Sequence, residues 1–231
     1  MRTLGELVAA VEAEARREPF PIDEPVYAAA GKDPLGPVLY AGARDAPICS
    51  VGRDLGRDEV AAGEPQVGAA GRQVRAGVVR AVTGSDPAKS DRRLEAALDH
   101  VLLTNLVPYK PPGNKAYARA VRERFRPFLL ELLVVHWRGE RVVTLGTEAF
   151  DWFAPYLPEG EAEAFWARED RYEAELDVTL RCTPPGESRA HSRRVLLGPL
   201  PHPSPLNQRW YARFPALLAA RLRAAGLGRD S

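Results

Sequence analysis

The sequence predicts an α/β fold of three αβα layers around a central, mainly parallel sheet, and three observations carry that expectation. Short apolar runs ending in turn residues alternate with stretches whose apolar residues recur three or four apart. The 231 residues are enough for one such domain to bury most of the surface that its unfolded chain exposes. Glycine-, proline- and asparagine-bearing motifs follow directly on the apolar runs, where the carboxyl ends of parallel strands present ligand sites. The expected organisation is one domain over 1–231, with 1–37 forming an N-terminal helix and a surface wrap.

At the N-terminus, Leu4, Leu7, Val8 and Val11 stand at helical spacing among acids and arginines and predict an amphipathic helix. Proline and glycine between Pro19 and Pro37 predict an irregular wrap. Strands are expected at Val38–Tyr40, Ile48–Gly52, Val101–Asn105, Val142–Leu145, Leu176–Leu180 and Val195–Leu197. Helices are expected at Gly71–Val82, Leu94–His100, Ala116–His136, Glu148–Phe153 and Gln208–Ala225. The turn-rich Cys182–Glu187 segment reads as a hairpin or loop.

Hydrophobic residues at 45% and charged residues at 27% describe a globular protein, and no apolar stretch approaches the length of a bilayer span. A secretory signal would need an uninterrupted apolar core that the first helix lacks, so a cytoplasmic location is expected. Two cysteines, Cys49 and Cys182, are too few for a disulfide framework or a four-cysteine metal site. Cys49 lies within an apolar run and reads as a buried strand thiol. A formal charge of +1 neither announces nor excludes a nucleic-acid partner, since a local arginine stripe can bind phosphates while acids elsewhere cancel the total. His100, His136 and His191 have no spacing that suggests a metal site.

Three motifs carry chemistry. In the first, Val51-Gly52-Arg53-Asp54-Leu55-Gly56-Arg57-Asp58-Glu59, glycines after a strand let the backbone turn tightly against a ligand and hold Asp54 at the strand's end. Alone, it reads as an ordinary turn, since Asp and Gly are common turn residues. In the second, a strand ends in Asn105 and runs into Leu106-Val107-Pro108-Tyr109-Lys110-Pro111-Pro112-Gly113-Asn114. A carboxamide carries donor and acceptor side by side and can read one edge of a base, although asparagine also forms turns. The third, Leu200-Pro201-His202-Pro203-Ser204-Pro205-Leu206-Asn207, is the specific one. Its three prolines fix φ, so that His202, Ser204 and Leu206 are presented in a nearly preset geometry.

In this order the motifs resemble the uracil-DNA glycosylase superfamily, from roughly Ile48 to Leu217, with Val142–Gly146 similar to a central strand of that fold. The first two motifs look most like its bacterial and archaeal iron–sulfur branch. Departures accompany the likeness: Tyr109 stands where that branch has a cysteine, and a paired-cysteine motif is missing, so no cluster is expected. Gln66 replaces the stacking phenylalanine, Arg53 replaces a glutamate, and Gly56 corresponds to the tyrosine by which the classical branch rejects thymine. Asp54 takes the place of the classical catalytic aspartate.

The resemblance implies a monomeric enzyme acting on DNA, without metal or redox cofactor, that flips out uracil and hydrolyses its glycosidic bond. It implies that Asp54 stabilises the sugar cation and orients water, while neutral His202 donates to the leaving base. Asn105 reads the base within a pocket that includes Gly52, Arg53, Gly56 and Gln66. Leu206 is the wedge, Ser204 holds a flanking phosphate, and Lys110, Lys115 and Arg209 are candidates for the DNA backbone, with Arg72 and Arg75 behind them. Two alternatives stay open: a catalytically weak lesion-binding protein of the same fold, and a glycosylase for another deaminated base.

Overall fold

A computed structural model describes residues 1–113, 115–204 and 207–228. Its sheet has six strands in the order β1-β3-β2-β4-β6-β5: β1 (Tyr40–Gly42), β2 (Ile48–Gly52), β3 (Val101–Asn105), β4 (Arg141–Leu145), β5 (Leu176–Cys182) and β6 (His191–Leu200). The four inner strands are parallel and the two edges antiparallel, the mainly parallel sheet that the sequence predicts.

Strand side chains alternate between two layers. Cys49, Val51, Leu102 and Val142 face one core, closed by α1 (Leu4–Arg17) and α5 (Arg119–Glu131). Ile48, Leu103, Val143 and Leu145 face the other, closed by α4 (Ala69–Thr83) and α9 (Phe214–Ala224). Helix α1 starts at a capping box, in which the Glu6 amide donates to Thr3 Oγ1 at 3.2 Å and the Thr3 amide to Glu6 Oε2 at 2.7 Å. It turns Leu7, Val11 and Ala15 inward. Cys49 is fully buried, and burial pushes its thiol well above the ordinary range.

The elements differ from the sequence expectation where local chemistry outweighs periodicity. The first strand is displaced from 38–40 to 40–42, because Val38 is drawn into a hydrogen bond with the Pro108 carbonyl. The wrap contains a short helix, α2 (Glu24–Ala30), with proline in its first turn and left-handed Gly31 at its end. The expected helix over 94–100 is a 3-10 turn, Glu95–Asp99. The expected helix over 208–225 is two: α8 (Gln208–Tyr211) stops, and Pro215 lies in the first turn of α9. Further short helices are α3 (Arg57–Ala62), α6 (Thr147–Asp151) and α7 (Glu161–Trp166); α6 starts one residue before the expected 148–153 helix and stops two residues short of its end. Among the described residues, no helix is long and apolar enough to cross a membrane.

Candidate active site

All three motifs and the turn after β4 meet at the carboxyl ends of the parallel strands, around a cavity of about 880 Å³. Asp54, two residues beyond β2, has a side chain only 4% exposed. Its Oδ2 accepts from Arg53 Nε at 2.8 Å, while Oδ1 is buried without a hydrogen-bond partner among the described residues. Loss of water pushes the carboxyl up to about 6, against the pull of Arg53. A carboxylate held in this costly state marks a functional site more often than a structural one.

The parallel register sets Gly52 beside Asn105. Asn105 is buried, its Nδ2 has no hydrogen-bond partner among the described residues, and its Oδ1 lies 2.2 Å from where a Cβ on Gly52 would stand. The glycine is therefore needed for close approach: the amide lies across it. Gly52→Ala is expected to displace the amide and lower single-turnover base excision on the order of 10²-fold, with a folded protein by circular dichroism. Wild-type rates in the alanine variant would remove Asn105 from the base-reading role.

His202 follows β6 and lines the same cavity, exposed between the buried Pro201 and Pro203. The Ser204 amide donates to the His202 carbonyl at 2.8 Å, tightening the loop. Gly146, at φ +88°, passes close beneath: a Cβ there would stand 3.3 Å from His202 Cβ. Partial desolvation and the Arg53 guanidinium both hold the imidazole below its ordinary range, so it is neutral at pH 7.

A family model for the uracil DNA glycosylase superfamily matches residues 39–225. The chain belongs to this superfamily. No curated protein matches it. The superfamily acts on DNA as base-excision glycosylases, and the match covers the sheet and every strand-end motif described above.

Within this superfamily member, several expected site residues have other work. Gln66 lines the cavity at φ +56°, but its amide is spent: Oε1 accepts from Ser50 Oγ at 2.8 Å, and Nε2 donates to the carbonyls of Ser50 and Thr104, both at 2.9 Å. It ties the loop to β2 and β3. Buried Glu59 accepts from the amides of Gly56 and Gln66, and its carboxylate fills the space beside Gly56. Arg75, a basic candidate in the sequence, is fully buried and donates to the carbonyls of Gln66, Pro65 and Arg93. Arg72 donates to the Arg92 carbonyl.

Lys110, expected on the DNA, is instead a buried structural cation. Its Nζ donates to Asp23 Oδ2 at 2.7 Å and to the carbonyls of Pro111 and Gly113 at 2.9 and 2.6 Å. Lys115 and Arg209 are exposed, the latter lying over the Trp210 ring at 5.3 Å. Lys110→Ala should therefore cost about 2–4 kcal/mol of stability by stranding Asp23, with the salt dependence of DNA binding unchanged. Lys115→Ala should leave Tm unchanged and reduce the slope of log affinity against log salt by about 1. Denaturant unfolding and salt titrations read both; a reduced slope in the Lys110 variant would return it to the interface.

Leu206 lies outside the described residues. The iron–sulfur cluster of the related branch has no ligand set here: Tyr109 is a core ring, edge-on to Phe20 at 5.2 Å, and the chain's two cysteines stand on β2 and β5. Sequence reasoning missed one cavity group and its ion-pair partner. Glu148 on α6 and Arg122 on α5 belong to no motif, yet Glu148 Oε2 lies 3.4 Å from Arg53 Nε and 3.8 Å from Arg122 Nη1. The one available signal was Glu148's position two residues after a strand-ending glycine.

Proposed function

We propose that this chain excises uracil or a closely related deaminated base from DNA by hydrolysis, leaving an abasic site. The observation that carries the reading is a pair of buried polar atoms, Asp54 Oδ1 and Asn105 Nδ2, left without hydrogen-bond partners among the described residues, on the wall of one cavity that His202 also lines. Leaving such groups unpaired costs stability, and a flipped base with its attacking water supplies the missing partners. Asn105 reads the base edge. His202, neutral, donates to the departing base as negative charge grows on it. Asp54, as carboxylate, faces the cationic sugar and holds the water through Oδ1. Leu206 is the proposed wedge, Ser204 a phosphate contact, and Lys115 and Arg209 backbone contacts.

The base range follows from the wall near Gly56, where the backbone and the Glu59 carboxylate replace a bulky ring. The test is excision from oligonucleotides carrying uracil, hypoxanthine, xanthine or mismatched thymine, each followed by cleavage at abasic sites. Excision of uracil supports the reading; excision of a purine alone shifts it to another deaminated base. Tight lesion binding without excision would replace it with the lesion-binding alternative, which the loss of the aromatic stacker at Gln66 favours.

A further inference from the structure

Arg53, Asp54 and Glu148 line the cavity and Arg122 pairs with Glu148, a cluster of four charges where the proposed reaction uses one. Arg53 Nε stands between two carboxylates, 2.8 Å from Asp54 Oδ2 and 3.4 Å from Glu148 Oε2. Arg122 Nη1 reaches Glu148 from the other side at 3.8 Å. The cluster is drawn from three elements: the end of β2, the start of α5 and the start of α6. Two guanidiniums thus share two carboxylates, and Asp54 keeps one oxygen unpaired among the described residues.

We propose that Glu148 is a positioning residue for Asp54, occupying Arg53 and Arg122 so that neither guanidinium closes over Asp54 Oδ1. The proposal rests on the glycosylase reading. Without the Glu148 charge, Asp54 is the carboxylate already bonded to Arg53, while Arg122 is left with the more distant field of Asp151, which senses both Arg122 and Glu148. A carboxylate that a guanidinium closes over loses both its water-accepting oxygen and the net negative field that a sugar cation needs. The burial-raised Asp54 carboxyl is raised further by Glu148 and lowered by Arg53 and Arg122. Buried Tyr117 also senses the Asp54 charge, and His202 senses that of Arg53. Glu148 is 42% exposed with its Oε2 buried in the cluster, so Glu148→Gln keeps the shape and removes only the charge.

The test uses the full chain with Glu148→Gln and Arg122→Gln. Titration of the Asp54 carboxyl by carbon NMR, assigned with Asp54→Asn, reads the cluster without reference to activity. The midpoint is expected to move to lower pH in Glu148→Gln, where a negative charge is lost, and to higher pH in Arg122→Gln, where a positive one is lost. Single-turnover excision by Glu148→Gln should fall roughly 3- to 10-fold at pH 7.5, while the ratio of its rates at pH 5.5 and 7.5 rises about two-fold. An unmoved Asp54 midpoint in Glu148→Gln overturns the proposal, as does a lost rate with an unchanged pH ratio, which marks a merely structural role. Midpoints that move as expected in a protein that excises no deaminated base overturn the glycosylase reading instead, and leave the electrostatic role of Glu148 standing.

Discussion

Asp54→Asn is expected to slow single-turnover excision on the order of 10³-fold while DNA binding survives or tightens. Asparagine has nearly the shape of aspartate and still accepts from Arg53, so the cavity keeps its form and loses only the charge facing the sugar. The wild-type rate should rise with pH through an apparent value near 6, because the carboxyl is pushed up to about 6 by burial and works ionised. That acid limb should vanish in the variant. Stability moves the other way. A carboxyl whose folded value lies above its unfolded one favours the folded state while protonated, and that advantage is lost as pH rises from about 4 through 6. At pH 7 the ionised Asp54 therefore opposes folding, and Asp54→Asn should be more stable by on the order of 1–3 kcal/mol. Denaturant unfolding at pH 5 and pH 7.5 checks this, with the gain larger at the higher pH. A variant with wild-type chemistry moves the water-holding role elsewhere. Exposed Asp58 is then the first candidate, since the Glu59 carboxylate is already bound by two amides.

What was legible in the sequence was what chain-local chemistry decides. Apolar runs ending in Gly52, Asn105 and Gly146 marked three inner strands at their carboxyl ends, because a buried parallel strand must be apolar throughout and its ligand-facing turn must not be. The proline-fixed loop marked His202 for the same reason. What was not legible depends on partners distant in the chain. Lys110 looks like a surface cation until Asp23, 87 positions earlier, is folded against it. Gln66 looks like one more base-pocket residue until its amide is seen bridging β2 and β3, which needs the register of two strands. Arg75 sits at an ordinary helical position and is buried only because the loop before α4 folds back over it. Glu148 and Arg122 carry no motif at all, and their proximity exists only once α5 and α6 dock at one end of the sheet.

His202→Ala should lower the single-turnover rate on the order of 10²-fold or more, since it removes a preorganised donor to the leaving base. Alanine keeps the Cβ that faces Gly146, so the loop's seat is preserved and the loss reports on the ring. Two features separate this role from that of Asp54. The imidazole is held below its ordinary range, and the limb near 6 is assigned to Asp54, so removal of His202 should leave that limb in place, whereas Asp54→Asn abolishes it. The groups also act on one transition state from opposite sides, the base anion and the sugar cation. With either gone the other has less charge separation to stabilise, and the double variant should lose less than the product of the two single losses. Single-turnover excision across pH 5–8 by the two single variants and the double variant decides the assignment. An acid limb that disappears with His202 and persists without Asp54 would reverse the two roles, making the histidine the titrating group. Strictly multiplicative losses would show that the two side chains act on separate steps, with one of them serving DNA binding or base flipping before the bond breaks.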